Sequence, residues 1–210
     1  MDEDKRLFLK RILAVPAASA LYWGVPFVLG CVDEPAVDPN CVPTGADLKG
    51  PFYEEGAPEK THIAAVDEPG DPLLIQGQVM ASNCTEGLND AVLDVWQANA
   101  AAQYYNELGV YRLRATVRAD NEGRFSFSTV LPGSYQENNA FRPRHIHIIV
   151  RATGYEPLTT QLYFAGDPYL KPNDACGACK SADSSHIIPL VATTLSGQAG
   201  WVGEFKIVLS

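Results

Sequence analysis

Two histidines, His145 and His147, lie two positions apart in the run Arg-Pro-Arg-His-Ile-His at residues 142–147. On a β-strand the side chains alternate between faces, so both imidazoles would lie on one face, about 6.6 Å apart along the strand. Two imidazoles at that spacing can bind one metal ion, although a histidine is more often an ordinary core or surface residue. The other two of the four histidines, His62 and His186, lack a nearby partner in the sequence, and we interpret both as structural or surface residues.

Tyrosines close to predicted turns offer a second type of ligand. Tyr104 and Tyr105 follow a predicted strand, and Tyr135 ends the turn-forming sequence Pro-Gly-Ser-Tyr at 132–135. A phenolate is a hard oxygen donor that suits ferric iron. Because the ordinary pKa of a phenol is about 10, a highly charged metal is needed to keep it deprotonated at neutral pH. A lone tyrosine is more often a core or surface aromatic, so this interpretation depends on the histidine pair.

Residues 1–30 are typical of an export signal. Positions 1–11 are mostly charged, no charged residue occurs from 12 to 30, and small residues precede Cys31. A basic segment, an apolar stretch and small residues before a cleavage site characterise secretory signals. The sequence Val-Leu-Gly-Cys at 28–31 also resembles a bacterial lipobox, which predicts lipidation at Cys31 and a membrane-tethered protein on the periplasmic or cell-surface side. A cleaved signal without lipid and a transmembrane anchor are the alternatives.

Four further cysteines, Cys41, Cys84, Cys176 and Cys179, are an even number and allow three pairings. Because exported proteins retain disulfides, we expect these cysteines to form structural disulfides. The Cys-Gly-Ala-Cys sequence at 176–179 could instead be a redox or metal motif. However, it lacks the second cysteine pair of a zinc site, and no βαβ pattern surrounds it.

The body of the chain, residues 48–210, has the pattern of an all-β domain, and residues 31–47, rich in Pro and Asp, are predicted to be a linker. Short β-branched and aromatic runs separated by Gly, Pro, Asn and Asp indicate a β-sandwich or barrel. Only residues 98–106 could begin a helix. The predicted strands cover residues 73–80, 91–96, 111–117, 125–129, 145–151, 160–164, 187–191 and 201–209.

The composition excludes several classes of protein. Apolar residues make up 46% and charged residues 20% of the 210, with 17 Gly and 15 Pro, which fits a globular chain with many turns and excludes collagen-like, coiled-coil or largely disordered chains. The net charge is −9. An acidic chain lacks the basic surface that nucleic acids require, so no nucleic-acid partner is expected.

Five segments of the body resemble the intradiol ring-cleavage dioxygenases, most closely the protocatechuate 3,4-dioxygenase branch. They follow the order found in that family and together extend over roughly residues 48–209. The resemblance implies a β-sandwich, in agreement with the strand pattern, and the sequence thus predicts a single β-sandwich domain. The matching segments are GPFYEEGAP at 50–58, VWQANAA at 95–101, LPGSY at 131–135, RPRHIH at 142–147 and TTQLYF at 159–164.

The resemblance also implies a non-haem ferric iron centre bound by two tyrosines and two histidines. Matched by motif, the ligands are Tyr104, Tyr135, His145 and His147, with the adjacent Tyr105 as an alternative to Tyr104. In the family, the tyrosinate matched by Tyr135 leaves the metal when substrate binds and can accept a phenolic proton as a general base.

Further roles follow from the same resemblance. Arg142 matches the arginine beside the substrate ring, whose charge stabilises negative charge that develops there, and Gln161 matches the glutamine that supports it. Pro51 and Tyr53 are expected at the mouth of the pocket, and Trp96 in the core. The implied reaction inserts both atoms of O2 into a catechol-type diol and opens the ring between the hydroxylated carbons to give a muconate-type dicarboxylate.

Two other hypotheses remain open. The chain could be a non-catalytic β-sandwich lipoprotein that binds a ligand without turnover, or the His/Tyr site could hold zinc or copper. The complete set of ligand types together with Arg142 favours the enzyme, and two phenolates favour a hard trivalent ion. The substrate could be catechol, a hydroxyquinol or protocatechuate, and an oligomer is possible.

Overall fold

The computed structural model describes residues 41–137 and 139–210. The predicted export signal, the lipidation site at Cys31 and most of the predicted linker lie outside these ranges. The described part contains eleven strands and one 3₁₀ turn at Ser184–His186. The strands are β1 (Pro72–Met80), β2 (Val92–Gln97), β3 (Arg114–Arg118), β4 (Arg124–Val130), β5 (Gln136–Glu137), β6 (Ala140–Phe141), β7 (His145–Arg151), β8 (Leu158–Phe164), β9 (Ile187–Ile188), β10 (Leu190–Leu195) and β11 (Gln198–Val208).

Two sheets form a sandwich around one hydrophobic core, which confirms the predicted fold class. One sheet has the strand order β10-β11-β1-β4, and the other has the order β3-β2-β7-β8-β9. Alternating apolar residues of both sheets point into the core. Ile75 of β1, Phe127 of β4, Leu93 of β2 and Ile148 of β7 are each no more than 1% exposed.

Strand β7 is buried on both of its faces. Ile146 and Ile148 point into the core between the sheets. His145 and His147 alternate with them and therefore point to the opposite face of the sheet. Both histidines are buried there. Loops bring Tyr104, Tyr135 and Arg142 to this outer face of β7, whereas Gln161 lies on the neighbouring strand β8 and pairs with His147.

The structure differs from the predicted secondary structure at several places. Residues 187–191, predicted as one strand, are divided between β9 and β10, which belong to different sheets. Strand β3 begins at Arg114 rather than at residue 111, because Leu113 has a positive φ of 51° that interrupts the extended backbone. Residues 98–106 form no helix, since the Asn99 side chain accepts a hydrogen bond from the Gln103 N–H at 2.9 Å and closes a turn instead. The β5–β6 hairpin was not predicted, and its two-residue strands are too short to show periodicity.

Residues 41–47, at the end of the segment predicted as a linker, are tied to the body. Cys41 forms a disulfide with Cys84, and the Thr44 N–H donates to the Val208 carbonyl at 3.0 Å. The second disulfide joins Cys176 to Cys179. Within the described ranges, no helix is long and apolar enough to cross a lipid bilayer.

Candidate metal centre

The two histidines of β7 and one tyrosine hydroxyl form a close cluster. The rings of His145 and His147 have centroids 4.8 Å apart, and the residues are 3% and 2% exposed. The Tyr104 hydroxyl lies 3.4 Å from Nε2 of His145 and 3.1 Å from Nε2 of His147. Three potential ligand atoms from two elements therefore face one another.

Tyr135 brings a second phenol to the cluster from the loop before β5. Its ring centroid lies 5.6 Å from that of His145 and 6.0 Å from that of Tyr104. The Tyr135 hydroxyl accepts a hydrogen bond from Nη1 of Arg142 at 3.4 Å. All four ligands predicted from the sequence are thus brought together on the outer face of β7.

Burial keeps both imidazoles neutral. Removal from water, together with the positive charge of Arg142, lowers the pKa of His145 to about 3. Burial also lowers the pKa of His147 far below its ordinary value, with the neighbouring His145 contributing and the Leu48 backbone opposing in part. Nδ1 of His145 lies 2.7 Å from the Pro143 carbonyl. Because a carbonyl only accepts, this Nδ1 carries the proton and the Nε2 lone pair faces Tyr104.

The phenols stay protonated in the absence of a cation. Burial raises the pKa of Tyr104, and the nearby Tyr135 raises it further while Arg142 opposes. Burial likewise raises the pKa of Tyr135, again against the charge of Arg142. A strongly charged cation at the cluster would reverse this balance and bind both phenolates.

The donor set fits a hard trivalent metal ion. It offers two neutral nitrogens and two oxygens that become anionic on binding. Such donors suit ferric iron, whereas copper(I) prefers softer ligands. Within residues 41–137 and 139–210, no three His, Cys, Asp or Glu side chains form a metal-binding group. The two-histidine, one-carboxylate set of ferrous oxygenases is therefore not found in the described part.

Arg142 is a buried cation beside the cluster, 4% exposed. Its Nη2 donates to Oε1 of Gln161 at 3.0 Å and to the Tyr163 hydroxyl at 3.2 Å, and its Nε donates to Oδ1 of Asp174 at 3.3 Å. Gln161 in turn donates to the Leu48 carbonyl at 2.7 Å. The guanidinium is thereby held with Nη1 towards Tyr135.

A cavity of about 610 Å³ opens over Tyr104 and Tyr135. A second cavity of about 600 Å³ adjoins it and shares three of its residues. A cavity of about 670 Å³ elsewhere on the sandwich contains none of the predicted site residues. The residues that line the cavity over the cluster are Pro51, Phe52, Ala102, Tyr104, Asn106, Ser134, Tyr135, Gln136, Glu137 and Phe141.

Residues 48–210 match the protein-family model described as Dioxygenase. The chain belongs to the intradiol ring-cleavage dioxygenase family. A chlorocatechol 1,2-dioxygenase of Rhodococcus opacus is 33% identical over 190 residues, which cover 79% of this chain and 72% of the relative. The crystal structure of 3-chlorocatechol 1,2-dioxygenase from Rhodococcus opacus 1CP matches with a TM-score of 0.71 at 30% identity and covers 79% of this chain and 72% of that one.

Two further matches show how much of the length of each intradiol relative this chain covers. Catechol 1,2-dioxygenase 2 of Acinetobacter lwoffii is 33% identical over 147 residues, and the match covers 60% of this chain but only 53% of the relative. The dioxygenase domain of a carbohydrate-binding fusion protein from Streptomyces sp. SirexAA-E matches with a TM-score of 0.67 at 29% identity and covers 80% of this chain and 99% of that one. The chain thus spans about half the length of some curated relatives.

The comparisons correct one detail of the sequence analysis. The relatives carry the names catechol and chlorocatechol 1,2-dioxygenase, so the chain is nearer to the catechol branch than to the predicted protocatechuate branch. Enzymes of the intradiol family use non-haem ferric iron.

Two tyrosines expected at the intradiol site point elsewhere. The hydroxyl of Tyr53, predicted to line the pocket, donates to Oδ2 of Asp94 at 2.8 Å, and the residue is not part of the cavity wall. Tyr105, the alternative ligand, donates to Oε1 of Glu68 at 2.9 Å, and the Arg112 guanidinium lies 4.1 Å above its ring. Pro51, by contrast, lines the cavity as expected.

Sequence reasoning missed several residues that position the cluster. Phe52 stacks on Tyr104 with ring centroids 4.2 Å apart, and Trp96, predicted only as a core residue, stacks on His147 at 4.8 Å. The buried Arg114 donates to the Phe52 carbonyl, and its Nη2 donates to the Tyr105 carbonyl at 2.8 Å. The Phe52 and Trp96 segments were part of the family resemblance, but nothing in the alternating pattern of β3 indicated a buried arginine.

Proposed function

We propose that this chain uses ferric iron and O2 to open a catechol-type ring between its two hydroxylated carbons and so forms a muconate-type dicarboxylate. The observation that carries the proposal is the convergence of the Tyr104 hydroxyl with Nε2 of both His145 and His147, at 3.1–3.4 Å, below a cavity. Membership of the intradiol family supports the same reaction.

The iron would be held by Tyr104, Tyr135, His145 and His147. Ferric iron held by these residues would supply a Lewis acid that draws electron density from a bound catechol and makes its ring reactive towards O2. Tyr135 lines the cavity and its hydroxyl accepts a hydrogen bond from Arg142, so it is placed to receive a proton from the incoming diol. The fixed charge of Arg142 would stabilise negative charge on the ring without reorganisation.

The cavity favours an uncharged catechol. Pro51, Phe52 and Phe141 supply apolar surface for an aromatic ring. Among the described residues that line the cavity there is no lysine or arginine, and Glu137 contributes a carboxylate. A carboxylated substrate such as protocatechuate would meet this negative charge, and the cations close by, Arg142 at Tyr135 and Arg144 in the adjoining cavity, are not part of this wall. Catechol and chlorinated catechols, which the relatives' names specify, avoid the repulsion.

We also propose that the protein is exported and tethered through a lipid on Cys31. The proposal is supported by the lipobox-like sequence at 28–31. The Cys41–Cys84 disulfide is also in keeping with an oxidising compartment. Expression in a bacterial host with labelled palmitate, followed by membrane fractionation, should give a labelled membrane-bound protein, whereas Cys31→Ala should be unlabelled. Equal labelling of both would refute lipidation at Cys31.

Visible absorption spectroscopy tests the enzymatic proposal. Iron-loaded protein should show a tyrosinate-to-iron charge-transfer band that shifts when catechol is added under nitrogen, and admission of O2 should then yield the muconate product. Tyr135→Phe and His147→Ala are expected to lower iron content or turnover. A protein that remains colourless after iron loading, yet binds catechol, would instead be a non-catalytic binding protein.

A further inference from the structure

Asp174 is a buried carboxylate that contacts Arg142 from outside the predicted site. Its side chain is 0% exposed, and Oδ1 lies 3.3 Å from Nε of Arg142. Both carboxylate oxygens have further donors: Oδ1 accepts from the Cys176 N–H at 2.9 Å, and Oδ2 accepts from the Ser181 hydroxyl at 2.7 Å. The carboxylate is therefore held in one orientation by its own loop.

That loop, residues 174–181, is closed by the disulfide between Cys176 and Cys179 and is called the disulfide loop below. Nζ of Lys171 donates to the Cys176 carbonyl at 2.6 Å. At the start of the loop, the Ala175 N–H donates to the carbonyl of Phe141 at 3.0 Å. Phe141 precedes Arg142 directly and lines the cavity, so the disulfide loop contacts both the side chain and the neighbouring backbone of the arginine.

These contacts decide which way the guanidinium faces. Its N–H donors lie in one rigid plane, so fixing two edges fixes the third. Asp174 holds the Nε edge, and Gln161 with Tyr163 holds Nη2. Nη1 is left directed at Tyr135, beside the cavity. Asp174 is also the carboxylate in direct contact with this buried cation, and a buried charge that loses its partner is strongly destabilised.

We propose that Asp174 is a positioning residue for Arg142 and that the Cys176–Cys179 disulfide keeps Asp174 in place. The disulfide loop thus acts on the rate of ring cleavage through the direction of the guanidinium, and it makes no direct hydrogen bond to the four predicted iron ligands. This inference rests on the proposed function, in which Arg142 stabilises charge on the substrate ring.

The test compares the two disulfides of the chain. The variant Cys176→Ser/Cys179→Ser should lower kcat for catechol about tenfold, with KM and the iron content nearly unchanged, because misplacing a charged group costs rate rather than ligand binding. The matched control Cys41→Ser/Cys84→Ser removes the other disulfide, at residues 41 and 84, and should lower thermal stability but not kcat. The proposal would be overturned if kcat fell equally in both variants, or if it fell in neither.

Asp174 itself is tested in two variants. Asp174→Asn removes the charge and should lower kcat about 100-fold with little change in KM. Ser181→Ala removes the hydrogen bond to Oδ2 of Asp174, along with the longer one that the hydroxyl accepts from the Lys171 N–H at 3.3 Å, and it keeps the charge of Asp174. It therefore remains informative if Asp174→Asn does not fold, and we expect kcat to fall about threefold to tenfold. Full kcat in the folded variants would refute the positioning role.

A second readout does not depend on turnover. In the ¹⁵N NMR spectrum of the full chain purified without iron, the Nε–H of Arg142 should exchange slowly in the wild type and in Cys41→Ser/Cys84→Ser. It should exchange faster in Cys176→Ser/Cys179→Ser, and equal exchange rates would refute the inference. If the wild type fails to cleave catechol but the exchange rates differ as stated, the proposed function is wrong while the positioning of Arg142 stands.

Discussion

Tyr104 and Tyr105 are adjacent phenols, and replacement with phenylalanine should weaken iron binding at Tyr104 but lower protein stability at Tyr105. Tyr104→Phe removes a hydroxyl that lies 3.1 and 3.4 Å from the two histidine Nε2 atoms. In iron-free protein these are neutral hydrogen bonds, so the free energy of unfolding should fall by about 1 kcal/mol, less than for a hydrogen bond to a charged group. The same change deletes one of the two predicted phenolate ligands. Iron binding should weaken at least about tenfold, and the visible band should be lost or displaced.

Tyr105→Phe should affect stability and leave iron binding intact. The Tyr105 hydroxyl donates at 2.9 Å to Glu68, whose side chain is 1% exposed. A hydrogen bond to a buried charged group contributes about 1.5–3 kcal/mol, which corresponds to a fall in Tm of about 4–10 °C for a chain of this size. Arg112 remains 2.8 Å from the same carboxylate, so the charge is still paired and the protein should fold.

The two variants are measured side by side. Calorimetry of the iron-free proteins gives Tm, and iron per chain after gel filtration against a weak chelator gives metal retention. We expect Tyr104→Phe to lose iron with little change in Tm. Tyr105→Phe should have a lower Tm but retain its full iron content. The reverse pattern would show that the loop bearing the two tyrosines presents Tyr105 to the metal and that the assignment of Tyr104 is wrong.

Three further predictions concern the cavity, the backbone and the metal. Glu137→Gln should raise kcat/KM for protocatechuate relative to catechol about threefold to fivefold because it removes a like charge; an unchanged ratio, as expected for the exposed control Glu107→Gln, would refute the role of Glu137. Gly50→Ala should lower Tm and shift the visible band, since φ is +70° and the new Cβ would lie 3.3 Å from Cε1 of His147. The control Gly166→Ala, with φ +79° and no atom within 4 Å, should lower Tm alone; a band shift in both would contradict this explanation. Chelation of iron should abolish turnover and leave the far-ultraviolet circular dichroism unchanged, because the hydrophobic core contains none of the four predicted ligands. Loss of the β-sheet signal on chelation would contradict this prediction.

The sequence located the histidine pair more securely than it located the tyrosines. On a strand, alternation places His145 and His147 on one face whatever their neighbours are. Tyr104 and Tyr105 lie in a loop, where distant contacts set the direction of each side chain. The Asn99 side chain closes the turn before them. Glu68, far away in the sequence, accepts a hydrogen bond from the Tyr105 hydroxyl. Tyr105 is thereby directed away from the histidines, and Tyr104 is directed towards them. Spacing along the chain carries no information about such contacts.

Tyr53 is another residue whose direction depends on distant contacts that spacing along the chain does not reveal. The family resemblance placed it at the mouth of the pocket, but Asp94 of β2 and Arg151 of β7 pair at 2.7 Å and draw the Tyr53 hydroxyl to that ion pair. The fold class, in contrast, was predictable because it depends on many short apolar runs and not on any single contact. Errors in strand ends, such as the start of β3 at Arg114, came from one residue with an unusual backbone conformation, Leu113.

The candidate site and the hydrophobic core lie on opposite faces of β7, and different interactions hold them. Ile146 and Ile148 contribute to a core that the two sheets share. The covering loops are fixed instead by buried polar contacts, such as Arg114 with the Phe52 carbonyl and Asp174 with Arg142. A substitution among these contacts therefore changes the geometry of the site while the apolar area buried between the sheets stays the same. For this reason a β-sandwich of this family can change its substrate, or lose turnover, without losing its fold.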